Sequence, residues 1–258
     1  MFRFFRAIRK DLIEVGKLRR YLGYALGEIV LVVVGILIAL QINNANEARL
    51  EHQKELRYLK NLRVDLEYTI RELDRFIETR GQRIESGQQI IEYFNGRPLE
   101  DLEDFGYHNV FVQTWQRYYQ KINTYEELVN SGNLGIISSQ EIKNALMDLD
   151  LLYEKMKGDE DHMRFDFEGY VYEPFFDTVD IEPMSENYAY VATQGQAGSQ
   201  PPLERKAIET LLQDIRFKNG FTLVVYMMRA INSRFVEMRA IAVGLVETID
   251  RELEGSIE

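Results

Sequence analysis

The side chains of this sequence that could do chemistry are few and scattered. Its three histidines, His52, His108 and His162, stand far apart in the chain, so a three-histidine metal site would need the fold to bring all of them together. The sequence contains no phosphate-binding loop, no His-Glu-x-x-His, no Gly-x-Ser-x-Gly and no dinucleotide fingerprint. It also has no cysteine, which excludes disulfides, thiolate nucleophiles and cysteine-ligated metals. We therefore expect no catalytic residue, no cofactor, no metal and no enzyme activity.

Two clusters could still bind a ligand. The acidic run Asp159–Glu168 is rich enough in carboxylates to suggest calcium, but Arg164 stands where the calcium loop needs a glycine. We favour a solvated acidic helix end for this run. Trp115 with Tyr118 and Tyr119 could stack on a ligand, although such a cluster more often belongs to a core or an interface.

The charge of the chain is acidic overall and uneven along its length. With 42 acidic and 31 basic side chains the formal net charge is −11. This balance argues against general nucleic-acid binding, because neutralising phosphates needs a basic surface. Residues 1–20 are the exception, since they hold seven basic and two acidic side chains. Residues 21–42 hold a single charged side chain, Glu28, and the acidic body follows over residues 43–258.

The almost uncharged stretch predicts one transmembrane helix over residues 21–42. From Leu22 to Ile42 it has 21 residues, or ~31 Å of helix, which matches the hydrocarbon thickness of a bilayer. A cleaved signal peptide is the alternative, but the basic flank is long and no convincing small-x-small cleavage site follows. A buried core helix is disfavoured because Ile29–Leu40 has no polar residue on any face. We expect an uncleaved anchor.

The basic residues predict the orientation of this anchor. Seven Lys and Arg side chains precede the span, whereas Arg49 is the only one in the ten residues after it. By the positive-inside rule the amino-terminal side is cytoplasmic and the acidic body faces outward, which in a bacterial inner membrane means the periplasm. Apolar residues at helical spacing predict that residues 1–20 form a basic amphipathic helix on the anionic inner leaflet. The alternative is an ordinary basic flank that only sets topology.

Small residues recur along one ridge of the predicted span. They are Gly23, Gly27, Gly35 and Ala39, and small residues let helices approach closely in lipid. Glu28 lies on nearly the same face as Gly35, at a depth where an ionised carboxylate facing lipid costs roughly 2.5–3.5 kcal/mol. We therefore expect the ridge to contact another copy of the span. The alternative is that Glu28 reaches the headgroups and that glycine is simply common in membrane helices.

The apolar periodicity of the body predicts an all-α fold. A stripe with coiled-coil-like spacing indicates that the membrane helix continues to about Phe94, where Asn95-Gly96-Arg97-Pro98 ends it. The stripe consists of Leu59, Leu62, Leu66, Ile70, Leu73, Ile77, Ile84 and Ile91.

Local signals predict the shorter elements of the body. Residues 110–119 could form a strand or a helix, and we favour a helix. Capping boxes predict two further helices. The first begins at Thr124 and ends near Gly132, which is predicted to be its left-handed cap. The second runs from Gln140 to about Phe167.

The last part of the body is predicted to be a loop followed by a long helix. Prolines and glycines predict a long loop near residues 170–202 with little regular structure. Pro201-Pro202 then begins the last helix, with a bend near Asn219-Gly220. The first and last long helices can pair antiparallel under shorter ones, so we expect a periplasmic antiparallel helical bundle.

Two blocks of sequence carry a resemblance. One is Gly27-Glu-Ile-Val-Leu-Val-Val-Val-Gly-Ile-Leu-Ile-Ala-Leu-Gln-Ile-Asn-Asn44, preceded by Met1-Phe-Arg-Phe-Phe-Arg6, and the other is Thr124-Tyr-Glu-Glu-Leu-Val-Asn-Ser-Gly-Asn-Leu-Gly-Ile-Ile137. They resemble an uncharacterised family of single-pass inner-membrane proteins from Bacteroidota, a domain of unknown function. That family usually has a Trp after the Asn pair, where this chain has Ala45. The resemblance implies a Bacteroidota inner-membrane protein and supplies no activity.

Three functions fit these predictions. We favour a self-associating single-pass membrane protein that presents a periplasmic helical bundle, with a structural or partner-binding role. Its partners would be the lipid bilayer, further copies of itself and a periplasmic protein, and not nucleic acid. One alternative is a homo-oligomeric ion channel in which Glu28, Gln41 and Asn44 form polar rings along a pore. The other is a periplasmic small-molecule sensor, which a cytoplasmic part of about twenty residues disfavours.

Overall fold

The computed structural model of the chain describes residues 18–183, 187–193, 196–199 and 202–255. Within these ranges every regular element is helical, so the chain has the all-α fold that the apolar periodicity predicts. The chain divides into two compact units, Met1–Leu56 and Arg57–Glu258. Residues 1–17 of the predicted amphipathic helix lie outside the described residues.

The described helices differ greatly in length, and the two longest are the first and the last. In chain order they are α1 (Leu18–Phe94), α2 (Leu102–Gln113), α3 (Asn123–Asn130), α4 (Gln140–Phe167), α5 (Glu173–Thr178), α6 (Tyr188–Ala192), α7 (Arg205–Leu211) and α8 (Ile215–Gly255). A 3₁₀ turn, Leu134–Ile136, follows α3. A π-helical turn, Glu168–Tyr172, joins α4 to α5.

Two glycines end helices where the sequence predicts them to end. Gly96 has φ of +104° just after α1, and Gly132 has φ of +70° just after α3. Residues with a Cβ rarely adopt such backbone angles, so glycine is the favoured residue at both positions. The predicted stop after Phe94 and the predicted left-handed cap at Gly132 are both confirmed.

Polar pairs show that the part of α1 in the second unit runs antiparallel to α8. Residues further along α1 pair with residues nearer the start of α8: Arg63 pairs with Asp250 and Asp74 pairs with Arg239. Lys218 donates to Asn95, the residue just after α1. Between the two helices the apolar stripes pack into one core, in which Leu66 and Phe235 are fully buried. α4 packs on α8 as a further long helix of this core. The predicted antiparallel pairing is confirmed.

The last helix begins later than its prolines predict. α7 stands alone over Arg205–Leu211, and α8 starts only at Ile215. The predicted bend at Asn219-Gly220 falls inside α8. Gly220 serves close packing there, because a Cβ on it would lie 2.5 Å from the carbonyl oxygen of Tyr170 in the π-helical turn.

The segment predicted as a long loop over residues 170–202 contains helical structure. The end of the π-helical turn, α5 and α6 all fall within it. Pro174 stands in the first turn of α5, directly after the π-helical turn. Phe175 and Val179 are buried, so tertiary burial orders a segment that shows no long periodic stripe.

The predicted helix over residues 110–119 is only partly present. α2 ends at Gln113, and residues 114–122 form an irregular segment that connects α2 to α3. This connector, called the 114–122 segment below, lies beside the residues that the next section describes.

Candidate functional site

The predicted contact residues of the anchor lie on the first part of α1. This helix is long and apolar enough to cross a membrane, and none of its most apolar stretch is buried within the chain. Gly23, Gly27 and Gly35 face open space, since a Cβ added at any of them would meet no atom within 4 Å. The other predicted contact and pore residues are exposed or partly exposed: Glu28, Ala39, Gln41 and Asn44. Self-association along this ridge stays a prediction.

The three histidines have different neighbours. His52, in the first unit, lies 3.5 Å from Glu55. In the second unit His108 lies beside Asp104, whereas His162 lies beside Asp166. Among the residues that the structure describes, no group of three or more His, Asp or Glu side chains could hold a metal ion.

Ser86, His108 and Asp104 stand in the order of a hydrolase triad. Ser86 Oγ lies 3.0 Å from His108 Nδ1, and His108 Nε2 lies 3.5 Å from Asp104 Oδ1. Ser86 is only 5% exposed and sits within α1, whose N–H groups are used by the helix, so its own helix offers no oxyanion hole. Burial lowers the pKa of His108 and keeps the ring neutral at pH 7. The arrangement connects α1 to α2 and does not favour catalysis.

The acidic run Asp159–Glu168 is helical, and its carboxylates contact different partners. Asp159 pairs with Arg234 of α8, and Asp161 pairs with Arg117. A continuous helix cannot surround a calcium ion as a binding loop does. The interpretation of this run as a solvated helix end is wrong at two of its carboxylates, because Glu160 and Asp166 are both buried.

Glu160 forms a buried ion pair with Arg80 of α1. Arg80 Nη2 donates to Glu160 Oε1 at 2.8 Å, and the two side chains are 2% and 0% exposed. The guanidinium also lies over the ring of Phe235, 4.9 Å from its centroid. Burial lowers the pKa of Arg80 and raises the pKa of Glu160, so desolvation outweighs the attraction between them. Such a pair adds little net stability, yet removing one partner leaves a buried charge.

This ion pair and Arg83 hold the 114–122 segment and the end of α2. Buried backbone groups outside regular structure need partners elsewhere. Tyr118 N–H donates to Glu160 Oε2 at 3.3 Å, and Arg80 donates to the carbonyl oxygen of Gln116 at 3.1 Å. Arg83 donates to the carbonyl oxygens of residues 111 and 114 at 3.2 and 3.0 Å. These side chains replace hydrogen bonds that a helix or strand would supply.

Arg83 keeps its charge in this environment. Burial, with repulsion from Arg80 and Arg75 adding to it, lowers the pKa of Arg83 to about 10. The guanidinium is therefore protonated at neutral pH and donates hydrogen bonds to the two carbonyl groups.

The sequence analysis did not identify Arg80, Arg83 and Glu160. A signal was present, because steps of three and four residues from Leu73 to Ile90 along the buried face of α1 pass through both arginines. Arginine is seldom fully buried unless it is paired. Arginines in register with an apolar stripe therefore predict a buried acidic partner, although the stripe does not say which one.

The aromatic cluster after α2 separates in the fold. Tyr118 is buried and packs edge-on against Phe235, and Trp115 stacks on Phe167. Tyr119 is 73% exposed. Trp115 and Tyr118 therefore belong to the core or pack against it, as predicted, whereas Tyr119 lies outside the core.

Beside the 114–122 segment, the surface of the second unit opens into a groove of about 630 Å³. α1 lines it with Tyr68, Glu72, Arg75 and Phe76, and the segment lines it with residues 116–121 other than Tyr118. Its described lining residues include three cations and one carboxylate; Arg75 pairs with Glu72 and Arg117 pairs with Asp161, which leaves Lys121 as a cation without a described acid beside it. We call this surface the basic groove.

A smaller groove of about 370 Å³ lies between α4 and α8. Its charged lining residues are Glu141, Asp148, Glu247 and Arg251, so it is acidic. The two grooves therefore favour ligands of opposite charge.

Together these features define a class: an all-α protein with one helix able to cross a membrane and a helical unit that carries a basic groove. Residues 28–180 match the model of a family of unknown function, DUF6090. Because the match covers more than half of the 258 residues, the chain belongs to this family. The matched range includes the 114–122 segment and both residues of the buried ion pair. No curated protein and no solved structure matches the chain.

Proposed function

We propose that this protein is a single-pass membrane protein whose helical unit binds a protein partner next to the membrane. The observation that carries the proposal is the first part of α1, an apolar helix long enough to span a bilayer, with none of its most apolar stretch buried in the chain. Exposing apolar surface to water costs roughly 25 cal/mol per Å². Lipid is the environment that removes this cost.

The charges on either side of the helix support one orientation. Basic residues precede it and an acidic body follows it, so the amino-terminal side is cytoplasmic and the helical unit faces the periplasm. The membrane is then the inner membrane of a bacterium, and the resemblance of residues 27–44 and 124–137 favours one of the Bacteroidota.

A binding role is better supported than a catalytic one. The contact that most resembles a catalytic one, Ser86 with His108, connects α1 to α2, and Ser86 is buried. The basic groove is exposed, and its irregular wall is held by the Arg80–Glu160 pair. A binding surface benefits from such support because it loses less conformational freedom when a partner docks.

Self-association through the anchor belongs to the same proposal. The open space around Gly23, Gly27 and Gly35 supports a close contact with another copy of the span. In that arrangement Glu28 and Ala39 also lie in the contact.

The orientation is tested with two reporters fused after Glu258, one active only in the periplasm and the other only in the cytoplasm. We expect activity from the periplasmic reporter alone, and fusions made after Arg20 should give the opposite result. Resistance of the full chain to alkaline carbonate extraction tests the anchor itself. Cytoplasmic activity after Glu258 would overturn the orientation, and release by carbonate would overturn the membrane span.

A further inference from the structure

We infer that the basic groove binds an acidic peptide segment of the partner protein. This inference rests on the proposed partner-binding function and names the chemistry that the partner must present. It concerns the second unit alone, so it can be tested apart from the membrane anchor.

The charge of the groove selects an anionic ligand. Arg75, Arg117 and Lys121 line it, and Glu72 is the carboxylate among its described lining residues. Glu72 pairs with Arg75 at 2.9 Å, and Asp161 pairs with Arg117, so these two cations are already neutralised. The ammonium of Lys121 lies 5.8 Å from the ring centroid of Tyr68, and no described acid lies within ion-pair distance of it. In a chain of net charge −11, this remaining positive charge attracts a carboxylate rather than a cation.

The remaining lining residues favour a peptide over a simple anion. Tyr68 and Tyr119 offer exposed aromatic faces, and Phe76 forms an apolar part of the wall. A carboxylate for the cation and apolar side chains for the exposed rings are together the chemistry of an acidic peptide.

The groove is arranged before any ligand arrives. Glu160 accepts from Tyr118 N–H, and Arg80 donates to Gln116, so the buried ion pair fixes the backbone that carries Arg117, Tyr119 and Gln120. Arg117 itself pairs with Asp161 and lies 3.7 Å from Glu160 Oε2. A wall held in this way loses little conformational freedom on binding. The acidic groove between α4 and α8 cannot serve the same ligand, because its carboxylates would repel it.

The test measures binding of a fluorescein-labelled peptide of alternating Glu and Ala residues to the full chain in detergent micelles, by fluorescence anisotropy. A matched peptide of alternating Gln and Ala is the neutral probe, and an oligosaccharide of hexuronic acids is the competitor of different chemistry. We expect the acidic peptide to bind at least tenfold more tightly than the neutral one. Its affinity should fall as salt is raised from about 0.1 to 1 M, since the screening length shortens from about 10 to 3 Å.

Two substitutions locate the binding to the groove. Lys121→Glu reverses an exposed charge and should weaken the acidic peptide by about tenfold, whereas Lys206→Glu, which adds the same charge outside both grooves, should change its affinity less than twofold. Melting curves of both variants show that the comparison is made between folded proteins.

The outcomes separate this inference from the proposed function. Equal binding of the neutral peptide, equal loss in Lys121→Glu and Lys206→Glu, or displacement by the hexuronic-acid oligosaccharide at lower concentration than by unlabelled peptide would each overturn it. Flotation of the same preparations with liposomes reports on the anchor. A chain that floats but ignores the peptide contradicts the inference alone, and a chain that binds the peptide but does not float contradicts the anchor alone.

Discussion

At the scale of single residues, Arg80 and Glu160 decide how a segment without regular structure is held. Both are fully buried, and each has a hydrogen bond to the backbone of the 114–122 segment as well as to the other. A well-packed apolar pair could fill the same space at similar or greater stability. It could not, however, accept from Tyr118 N–H or donate to Gln116.

The ion pair predicts a non-additive response to substitution. Arg80→Met leaves the Glu160 carboxylate buried without its cation, and we expect a loss of roughly 3–5 kcal/mol in the free energy of unfolding. The double variant Arg80→Met/Glu160→Leu removes both charges and should be more stable than Arg80→Met alone. Denaturant unfolding of the four proteins measures this coupling, and a double variant whose loss equals the sum of the two single losses would contradict it.

The same variants predict a pH dependence with a definite sign. Burial raises the pKa of Glu160, and Arg80 opposes this rise, so Arg80→Met should raise that pKa further. A carboxyl group with a higher pKa in the folded state holds its proton more tightly there, so stability is gained as the pH falls through the folded pKa and is lost as the pH rises through it. As the pH is lowered from neutral towards 4.5, the ordinary pKa of a glutamate, Arg80→Met should therefore gain stability relative to the double variant.

At the scale of elements, a contact between helices replaces the local cap that the sequence predicts for α3. Thr124 and Glu127 have the spacing of a capping box, but α3 begins at Asn123 and has no side-chain cap from its own sequence. Asp65 of α1 accepts from Thr124 N–H at 2.8 Å, and Glu127 instead accepts from Tyr58 OH at 2.9 Å. The predicted cap is therefore wrong, because a carboxylate from α1 meets the same need. In contrast, α4 runs from Gln140 to Phe167, which confirms its predicted bounds. The predicted capping box of Ser138 and Glu141 is wrong, because Ser139 caps the helix and Glu141 accepts from Thr248 Oγ1 at 3.0 Å.

The pairing of α1 with α8 predicts a contrast between two neighbouring residues of α1. Leu66 is fully buried, whereas Val64 is 61% exposed on the same helix. Leu66→Asp would bury an unpaired charge and should cost more than about 4 kcal/mol, while Val64→Asp should change stability by less than about 1 kcal/mol. Thermal unfolding followed by circular dichroism measures both. Equal melting temperatures would show that the stripe of α1 does not form the core.

At the scale of the whole molecule, the two units have different kinds of surface. The first unit exposes an apolar helix with open space at its glycines, and the described part of the second has a buried helical core with the basic and acidic grooves on its surface. Self-association, which we propose for the first unit, is therefore separate from the partner binding that we propose for the second. This division makes the assembly testable by substitutions in the span alone.

If the spans associate along the small-residue ridge, a larger side chain on that ridge should weaken the oligomer. Gly35→Leu places a large side chain where two spans should approach, so the mass of the full chain in detergent, measured by light scattering, should shift towards monomer. Val33→Leu, on the opposite side of the helix, should leave the mass unchanged. A Gly35→Leu variant that keeps the mass of the wild type would exclude contact along this ridge.

Glu28→Gln tests what the carboxylate contributes to the same assembly. An amide can still donate and accept between spans, so the oligomer should persist. If copies form a cation pathway, the variant should change the conductance of planar bilayers while the mass stays the same. Unchanged mass and unchanged conductance would mean that Glu28 serves neither role.

The sequence by itself determined what depends on neighbours along the chain. The apolar stretch before Asn43, the end of α1 at Asn95-Gly96, the bounds of α4 and the stripe that includes Leu66 all follow from spacing and local backbone preference. These signals act within a few residues, so a single chain is enough to recognise them.

Only the tertiary structure decided which distant polar groups meet. Arg80 and Glu160 are 80 positions apart, and Asp65 lies 59 positions before the amide it accepts from. No periodicity links such positions, because their contact depends on how three long helices pack and on which buried backbone groups the 114–122 segment leaves without partners. The basic groove follows from the same packing, since residues 68–76 and 116–121 form one surface only after α1 and the segment are held together.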